Sequence, residues 1–145
     1  MSLMYINTDG GSRGNPGPAG IGVVFLDENE KVVYEHKACI GEGTNNEAEY
    51  SAILAALQIM SKSEWFEKNN EPCNSIICRL DSQLVVEQIN GNYKVKQDHL
   101  KVFIADIRKV LTDYKVKIKF KYVPREQNKL ADKLVNEALD GGISQ

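Results

Sequence analysis

The spacing of apolar residues along this chain predicts a run of strands followed by helices mixed with strands. Three β-prone segments come first, at residues 3–9, 20–27 and 31–40, and the polar residues 27–30 predict an antiparallel meander. A helix is expected from about Thr44, because the apolar residues after it recur at helical spacing. These residues are Tyr50, Ile53, Leu54, Leu57 and Met60. Their stripe is expected to pack on the sheet.

In the second half of the chain, segments with the helical spacing of apolar residues alternate with segments that have the strand spacing. Its expected elements are a strand over 76–80, a helix from about 82 to 90, a helix over about 100–111, a strand over 116–122 and a helix over about 128–139. Strict alternation of apolar residues with lysines over 115–122 predicts a half-buried strand. The resulting order, βββ-α-β-α-α-β-α, predicts an α/β fold with one five-stranded mixed sheet and helices on both faces.

Length, composition and charge limit the number of domains and the class of protein. With 145 residues, 42% of them hydrophobic and 26% charged, the chain is expected to form one soluble domain over 1–145, with 1–2 and 141–145 disordered. The formal charge of −2 argues against a nucleic-acid binder unless bound metal offsets clustered carboxylates.

Cysteine usage and apolar runs bear on location. The three cysteines, Cys39, Cys73 and Cys78, show no C-x-x-C spacing, and the N-terminus lacks a signal-peptide pattern. No apolar run approaches the ~20 residues of a membrane span. A cytoplasmic monomer without a membrane association or an obligatory protein partner is therefore expected.

Four carboxylates lie where predicted elements begin or end: Asp9, Glu49, Asp81 and Asp132. Residues at element ends can converge in space, and a glycine-rich turn after Asp9 lets backbone amides approach a ligand. Carboxylate oxygens are the hard ligands that Mg²⁺ prefers, and two ions ~3.5–4 Å apart can catalyse phosphodiester hydrolysis. Like charges held this close are expected to raise the pKa of at least one carboxyl group in the metal-free protein.

Each of these acidic residues also fits a purely structural role in the backbone around it. Asp9 fits a turn, Asp81 fits the N-cap of the next helix, and Asp132 fits a first helical turn, where the helix dipole favours negative charge. Glu47 and Glu49 both have capping-box spacing, so spacing alone does not choose between them.

Four segments together resemble the type 1 ribonuclease H family. They are Asp9-Gly-Gly-Ser-Arg-Gly-Asn-Pro-Gly-Pro-Ala-Gly-Ile-Gly22, Thr44-Asn-Asn-Glu-Ala-Glu49-Tyr, Leu80-Asp81-Ser-Gln83-Leu-Val and Asn128-Lys-Leu-Ala-Asp132, in family order. The resemblance implies a ribonuclease H-like fold and an endonuclease that cuts the RNA strand of RNA/DNA hybrids, leaving 5′-phosphate and 3′-hydroxyl ends. It also implies two Mg²⁺ ions, with Mn²⁺ as a substitute, on Asp9, Glu49, Asp81 and Asp132. Glu49 matches the family glutamate because it directly precedes Tyr50.

The resemblance also implies a set of substrate contacts. They are Gly10, Gly11, Ser12, Asn15, Thr44, Asn45, Asn46, Gln83 and Arg125. Amide side chains and exposed backbone can register a 2′-hydroxyl, which both donates and accepts. Turn and cap geometry is the alternative role for the Asn and Thr residues.

Two features depart from many family members. Arg125 stands in place of a loop histidine, and Arg binds phosphate but is no general base. A long basic insertion is absent from 92–99, which leaves Lys94, Lys96 and Lys101 as weak candidates for phosphate contact. The two histidines, His36 and His99, and the lysines at 115, 117, 119 and 121 are expected on the surface, the lysines along an edge strand.

Two other functions fit the same motifs. One is a module that binds hybrids or other double-stranded nucleic acid without cutting, although a pure binder gains nothing from four carboxylates facing phosphate. The other is a related nuclease acting on double-stranded RNA or DNA junctions.

Overall fold

The computed structural model describes residues 1–141, which form a mixed sheet with helices on both faces. The strands are β1 (Leu3–Ser12), β2 (Gly17–Leu26), β3 (Val32–Gly43), β4 (Ser75–Leu80) and β5 (Lys117–Tyr122). The helices are α1 (Asn45–Ser61), α2 (Glu64–Asn69), α3 (Gln83–Ile89), α4 (Asp98–Leu111) and α5 (Lys129–Gly141). The strand order is β3-β2-β1-β4-β5, with β1, β2 and β3 antiparallel and β4 parallel to both β1 and β5. The predicted α/β fold with a five-stranded mixed sheet is confirmed.

Glycines allow the two main helices to approach the sheet closely from opposite sides. Gly10 faces α1, and a Cβ there would overlap the carbonyl of Ala48. Gly22 faces α5, and a Cβ there would overlap the carbonyl of Ala131. Gly22 pairs with Asp9 across the β1–β2 ladder, so Asp9 lies on the α5 face whereas the next residue, Gly10, lies on the α1 face.

The hydrophobic core is unequal on the two faces. On the α1 face, a large cluster contains Ile6, Val23, Ile53, Leu57 and Ile76, each at most 1% exposed. On the α5 face, a smaller cluster contains Val24, Leu26, Ala131 and Leu134, with Tyr5 packed against it. Helix α5 packs on β1, β2 and β3. The β4–β5 half of that face is therefore much less covered.

The structure adds short elements that the apolar pattern did not predict. Helix α2 has only six residues, too few for a periodic stripe, and Ser63 caps it by accepting a hydrogen bond from the Phe66 amide at 3.1 Å. A 3-10 turn over Arg125–Gln127 precedes α5. Strand β1 continues past its expected end at residue 9, because residues up to Ser12 pair with β2.

The chain ends differ from the expectation of disorder at two positions. The Ser2 amide donates to Asn74 Oδ1 at 2.7 Å, and the Ser2 carbonyl accepts from the Ser75 amide at 3.0 Å. Gly141 is the last residue of α5. The expectation for 142–145 lies outside the described residues, and the single-domain assignment stays a prediction.

The residues expected on the surface are exposed in most cases, with one partial exception. Lys117, Lys119 and Lys121 are exposed along β5, which is an edge strand as predicted. His99 is exposed, but His36 is only partly so: its Nε2 is enclosed, and burial lowers its pKa. None of the helices within residues 1–141 combines the length and apolar character that a membrane span needs.

Candidate active site

Three of the predicted carboxylates converge at the end of the parallel strand pair. The parallel β1–β4 ladder ends at Asn7 and Arg79, and two residues further on stand Asp9 and Asp81. Glu49 reaches the same point from the second turn of α1. Carboxylate oxygens of Asp9, Glu49 and Asp81 lie within 4.8 Å of one another. Asp9 and Glu49 are buried, whereas Asp81 is partly exposed. We call these three residues the buried trio.

The fourth carboxylate lies at the rim of this group. Asp132 is in the first turn of α5, and the start of that helix is held beside β1 by Asn128, whose Nδ2 donates to the Thr8 carbonyl at 2.9 Å. The Asp132 side chain is 37% exposed, and its Oδ1 lies 3.9 Å from Nη2 of Arg125, which is 81% exposed. An ion pair this exposed contributes little to stability. We call Asp132 and Arg125 the rim pair.

Burial and mutual repulsion disturb the protonation of the buried trio. Burial, followed by the charge of Asp81, raises the pKa of Asp9 from 3.8 to about 7. Burial and then the charge of Asp9 raise the pKa of Glu49 well above its ordinary value. Burial also raises the pKa of Asp81, and the charge of Arg125 opposes that shift. The predicted abnormal titration thus has a physical basis at all three positions.

One oxygen of this group lacks a partner, which is informative about what the site can hold. Glu49 Oε2 is buried and has no hydrogen-bond partner among the described residues. A buried, unpaired carboxylate oxygen is costly unless a cation or donor reaches it. Three hard oxygen donors and one orphaned oxygen therefore fit a divalent cation such as Mg²⁺.

The start of α1 separates the roles of its two glutamates. Thr44 caps the helix: its Oγ1 accepts from the Glu47 amide at 3.1 Å, and Glu47 Oε1 accepts from the Thr44 amide at 2.8 Å. This reciprocal capping box engages Glu47, while Glu49 turns into the carboxylate group.

Two other local interpretations of the acidic residues are wrong. Asp9 does not belong to a turn, since it lies within β1 and is only 6% exposed. Asp81 is not the N-cap of α3, because Ser82 occupies that position and accepts from the Val85 amide at 3.3 Å. Both residues are placed by the sheet.

The glycine-rich hairpin is tied to α1 by asparagines. Asn45 Oδ1 accepts from the Ser12 amide at 2.9 Å and from its hydroxyl at 3.2 Å. Asn15 Oδ1 accepts from the Asn45 amide at 3.0 Å. These bonds fix the backbone of the hairpin relative to Glu49, and the amide NH₂ of Asn45 has no partner within residues 1–141.

The structure brings most, but not all, of the predicted site residues into one groove of ≈ 450 Å³. The groove is lined by Asp9, Gly10, Gly11, Ser12, Asn45, Glu49, Asp81, Arg125 and Asp132 among others. The predicted substrate contacts Asn15, Thr44, Asn46 and Gln83 do not line it. Asn15 and Thr44 have turn and cap roles, and Gln83 is an exposed first residue of α3.

Sequence reasoning missed part of the groove wall. Besides Arg13, the wall includes Val135, Asn136 and Leu139 of α5. These three follow Asp132 at i+3, i+4 and i+7, the spacing of one helix face. Helical periodicity anchored on Asp132 could therefore have found them.

A mixed sheet of this strand order, with a carboxylate-lined groove at the end of its parallel pair, defines the ribonuclease H-like class of folds. The reverse transcriptase-like family profile matches residues 7–138. Ribonuclease H1 LC11, isolated from compost, is 43% identical, with a TM-score of 0.87 over 96% of this chain and 98% of that one. The ribonuclease H1 of Halobacterium salinarum is 37% identical, with a TM-score of 0.84 over 96% and 98% of the two chains. The chain belongs to the type 1 ribonuclease H family within the reverse transcriptase-like group.

Some relatives are longer than this chain. A bifunctional protein of Mycobacterium tuberculosis is 40% identical over 138 residues, and the match covers 94% of this chain but 35% of that protein. The N-terminal ribonuclease H domain of the same protein, solved as a fusion with maltose-binding protein, matches with a TM-score of 0.83 and 37% identity over 97% and 96% of the two chains. The chain thus spans about a third of the length of such relatives.

Proposed function

We propose that this protein is an endonuclease that hydrolyses the RNA strand of RNA/DNA hybrids. The observation that carries the proposal is the buried trio, with oxygens within 4.8 Å of one another and one Glu49 oxygen without a partner among the described residues. Family membership supports it, and the similar ribonuclease H1 LC11 has been solved with an RNA/DNA hybrid. A module that only binds duplexes has no use for buried carboxylates whose charge opposes phosphate.

The proposed cofactor is a pair of Mg²⁺ ions, for which Mn²⁺ can substitute. Asp9, Glu49 and Asp81 would hold the metal, together with Asp132 at the rim. When bound, the ions supply an activated water and offset charge on the phosphorus. The high pKa of Asp9 means that metal binding displaces a proton near neutral pH.

The remaining groove residues are proposed to bind and orient the hybrid. The Gly10, Gly11 and Ser12 backbone lies beside the RNA strand, and the free amide NH₂ of Asn45 donates to a 2′-hydroxyl, a group that DNA lacks. Arg125 binds a phosphate beside the carboxylates, since an exposed guanidinium presents several donors to oxygen. Asn15, Thr44, Asn46 and Gln83, outside the groove, support the hairpin or contact flanking nucleotides. The products are 5′-phosphate and 3′-hydroxyl ends.

The setting of the reaction is also proposed. Three free cysteines among the described residues fit a reducing cytoplasm. The complete four-carboxylate set comes from one chain, so a monomer suffices for chemistry.

The test is cleavage of an end-labelled RNA/DNA hybrid by the wild type and by Asp81→Asn, with RNA/RNA and DNA/DNA duplexes alongside, in Mg²⁺, Mn²⁺ or EDTA. We expect metal-dependent cutting of the hybrid's RNA strand alone, abolished by the substitution. Hybrid binding without cleavage in either metal would indicate the binding module instead. Preferential cutting of another duplex would indicate a related nuclease.

A further inference from the structure

The half of the sheet face that α5 covers least carries a row of lysines outside the groove. Side chains alternate along strands, so residues two apart from Asp9 lie on its face. The three β1–β4–β5 rows on this face are Asn7/Arg79/Lys121, Tyr5/Ile77/Lys119 and Leu3/Ser75/Lys117. We call Lys117, Lys119 and Lys121 the lysine face.

The charge of the lysine face is exposed and uncompensated. All three side chains are exposed, and none forms a salt bridge within residues 1–141. Removing their charges from the net −2 leaves −5 for the rest of the chain. Three of the 18 lysines and arginines thus stand in one row on a protein whose net charge is negative, which favours an anionic partner there.

The neighbouring Arg79, in contrast to the lysines, is already engaged by other side chains. Arg79 is 18% exposed, its Nη2 lies 2.7 Å from Glu30 Oε1, and its Nε donates to Asn7 Oδ1 at 2.8 Å. Its guanidinium also stacks 4.1 Å from the Tyr5 ring centre. Arg79 therefore supports the face structurally, and the three lysines are the groups left to bind a ligand.

The spacing and position of the lysines fit a nucleic-acid backbone. Residues two apart in a β-strand are about 6.6 Å apart, so the row spans about 13 Å, a length of duplex axis along which one nucleic-acid strand carries roughly four phosphates at about 3.4 Å of rise each. Lys121 lies one row from Asp9 and Asp81, and Lys117 lies furthest from them. Blocking of edge pairing explains lysines on β5, but it gives no reason for an uncompensated row that leads away from the groove.

We propose that the lysine face binds the phosphate backbone of the nucleic acid on a segment flanking the one in the groove. This inference rests on the proposed function, in that the ligand of the groove is nucleic acid. The face adds affinity for long substrates and takes no part in the chemistry. Its contribution is electrostatic, so it falls as salt rises.

The test compares Lys117→Gln/Lys119→Gln/Lys121→Gln with a control, Lys62→Gln/Lys68→Gln/Lys109→Gln, which removes three exposed lysines elsewhere. Affinities for 8- and 30-base-pair RNA/DNA hybrids are measured in EDTA by fluorescence anisotropy across a salt series. For the long hybrid, the lysine-face variant is expected to bind about tenfold more weakly, with a salt slope smaller by about 2–3. The short hybrid and the control variant should change less than twofold.

Each outcome addresses one of the two proposals. Equal affinity of the two variants for the long hybrid would overturn the lysine face, whether or not the wild type cuts. Loss of affinity with no hybrid cleavage by the wild type would overturn the proposed function and leave the face intact. Tighter, lysine-dependent binding of a polyglutamate peptide of equal charge would overturn the assignment to nucleic acid. Circular dichroism of both variants checks that each is folded.

Discussion

The two sides of the groove hold acidic residues in contrasting surroundings. In the buried trio, Asp9 and Glu49 are 6% and 7% exposed, and burial raises the pKa of all three carboxyl groups. In the rim pair, the Asp132 and Arg125 side chains are 37% and 81% exposed and 3.9 Å apart. One side of the groove is built into the core, and the other stands in solvent.

This difference in burial suggests different roles for the two groups of residues. The buried trio is fixed by strand register and by the close approach of α1, so its geometry is preorganised at a cost in stability. The rim pair is held by one helix turn and a 3-10 turn, and its charges are screened by water. We therefore expect the trio to control whether the reaction occurs and the rim pair to adjust its rate.

The largest expected effect comes from removing a charge within the trio. Asp9→Asn keeps the side-chain size but removes one of the charges proposed to hold the metal, so hybrid cleavage is expected to fall at least 1000-fold, or about 4 kcal/mol in the barrier. Single-turnover cleavage in saturating Mg²⁺ measures it. A loss below tenfold would show that the trio and the rim pair are equivalent.

The packing that places Glu49 can be broken separately. Gly10→Ala would push a methyl group against the Ala48 carbonyl and to 2.6 Å from the Glu49 amide nitrogen. We expect a loss of about 1–3 kcal/mol in the free energy of unfolding, measured in urea. Gly11→Ala is the matched control, since its nearest contacts are Val135 Cγ1 at 3.8 Å and Asn45 Oδ1 at 3.9 Å. Equal losses at the two positions would contradict the close approach of α1.

The destabilisation caused by the buried trio should make the free energy of unfolding depend on pH when metal is absent. Because the pKa of Asp9 rises from 3.8 to about 7 on folding, the folded protein keeps a proton that the unfolded chain releases between these values. The stability from this group is therefore present below about pH 4 and is lost as pH rises through 7. In EDTA at pH 8, Asp9→Asn should be more stable than wild type by about 1–3 kcal/mol, with no difference near pH 3.5. A constant difference across this range would exclude the raised pKa.

The fold followed from the sequence because its elements are long and strongly periodic. The alternation over 115–122 and the stripe from Tyr50 to Met60 each determine one face of one element. Helix α2 and the 3-10 turn at Arg125 were missed, since neither completes two turns. Their positions depend on contacts such as the Ser63 cap, which a periodic pattern does not show.

The sequence predicted which carboxylates meet in the groove but not how deeply each is buried. Motif resemblance identified Asp9, Glu49, Asp81 and Asp132 equally. The structure buries only Asp9 and Glu49, and it brings the oxygens of the first three, but not of Asp132, within 4.8 Å of one another. That separation arises from long-range register: β1 and β4 lie side by side although about 70 residues separate Asn7 from Arg79. Capping by Glu47 likewise became clear only from its bond to the Thr44 amide.

The smallest expected effects lie at the rim pair, and they complete the comparison. Asp132→Asn keeps an oxygen that can face the metal, so cleavage should fall only about tenfold. Arg125→Gln removes an exposed phosphate donor, so KM for the hybrid should rise about 2–5-fold while kcat changes less. The rise in KM should disappear at high salt, because screening already weakens the charge in the wild type. A loss at Asp132→Asn as large as that at Asp9→Asn would show that exposure does not separate the roles of these carboxylates.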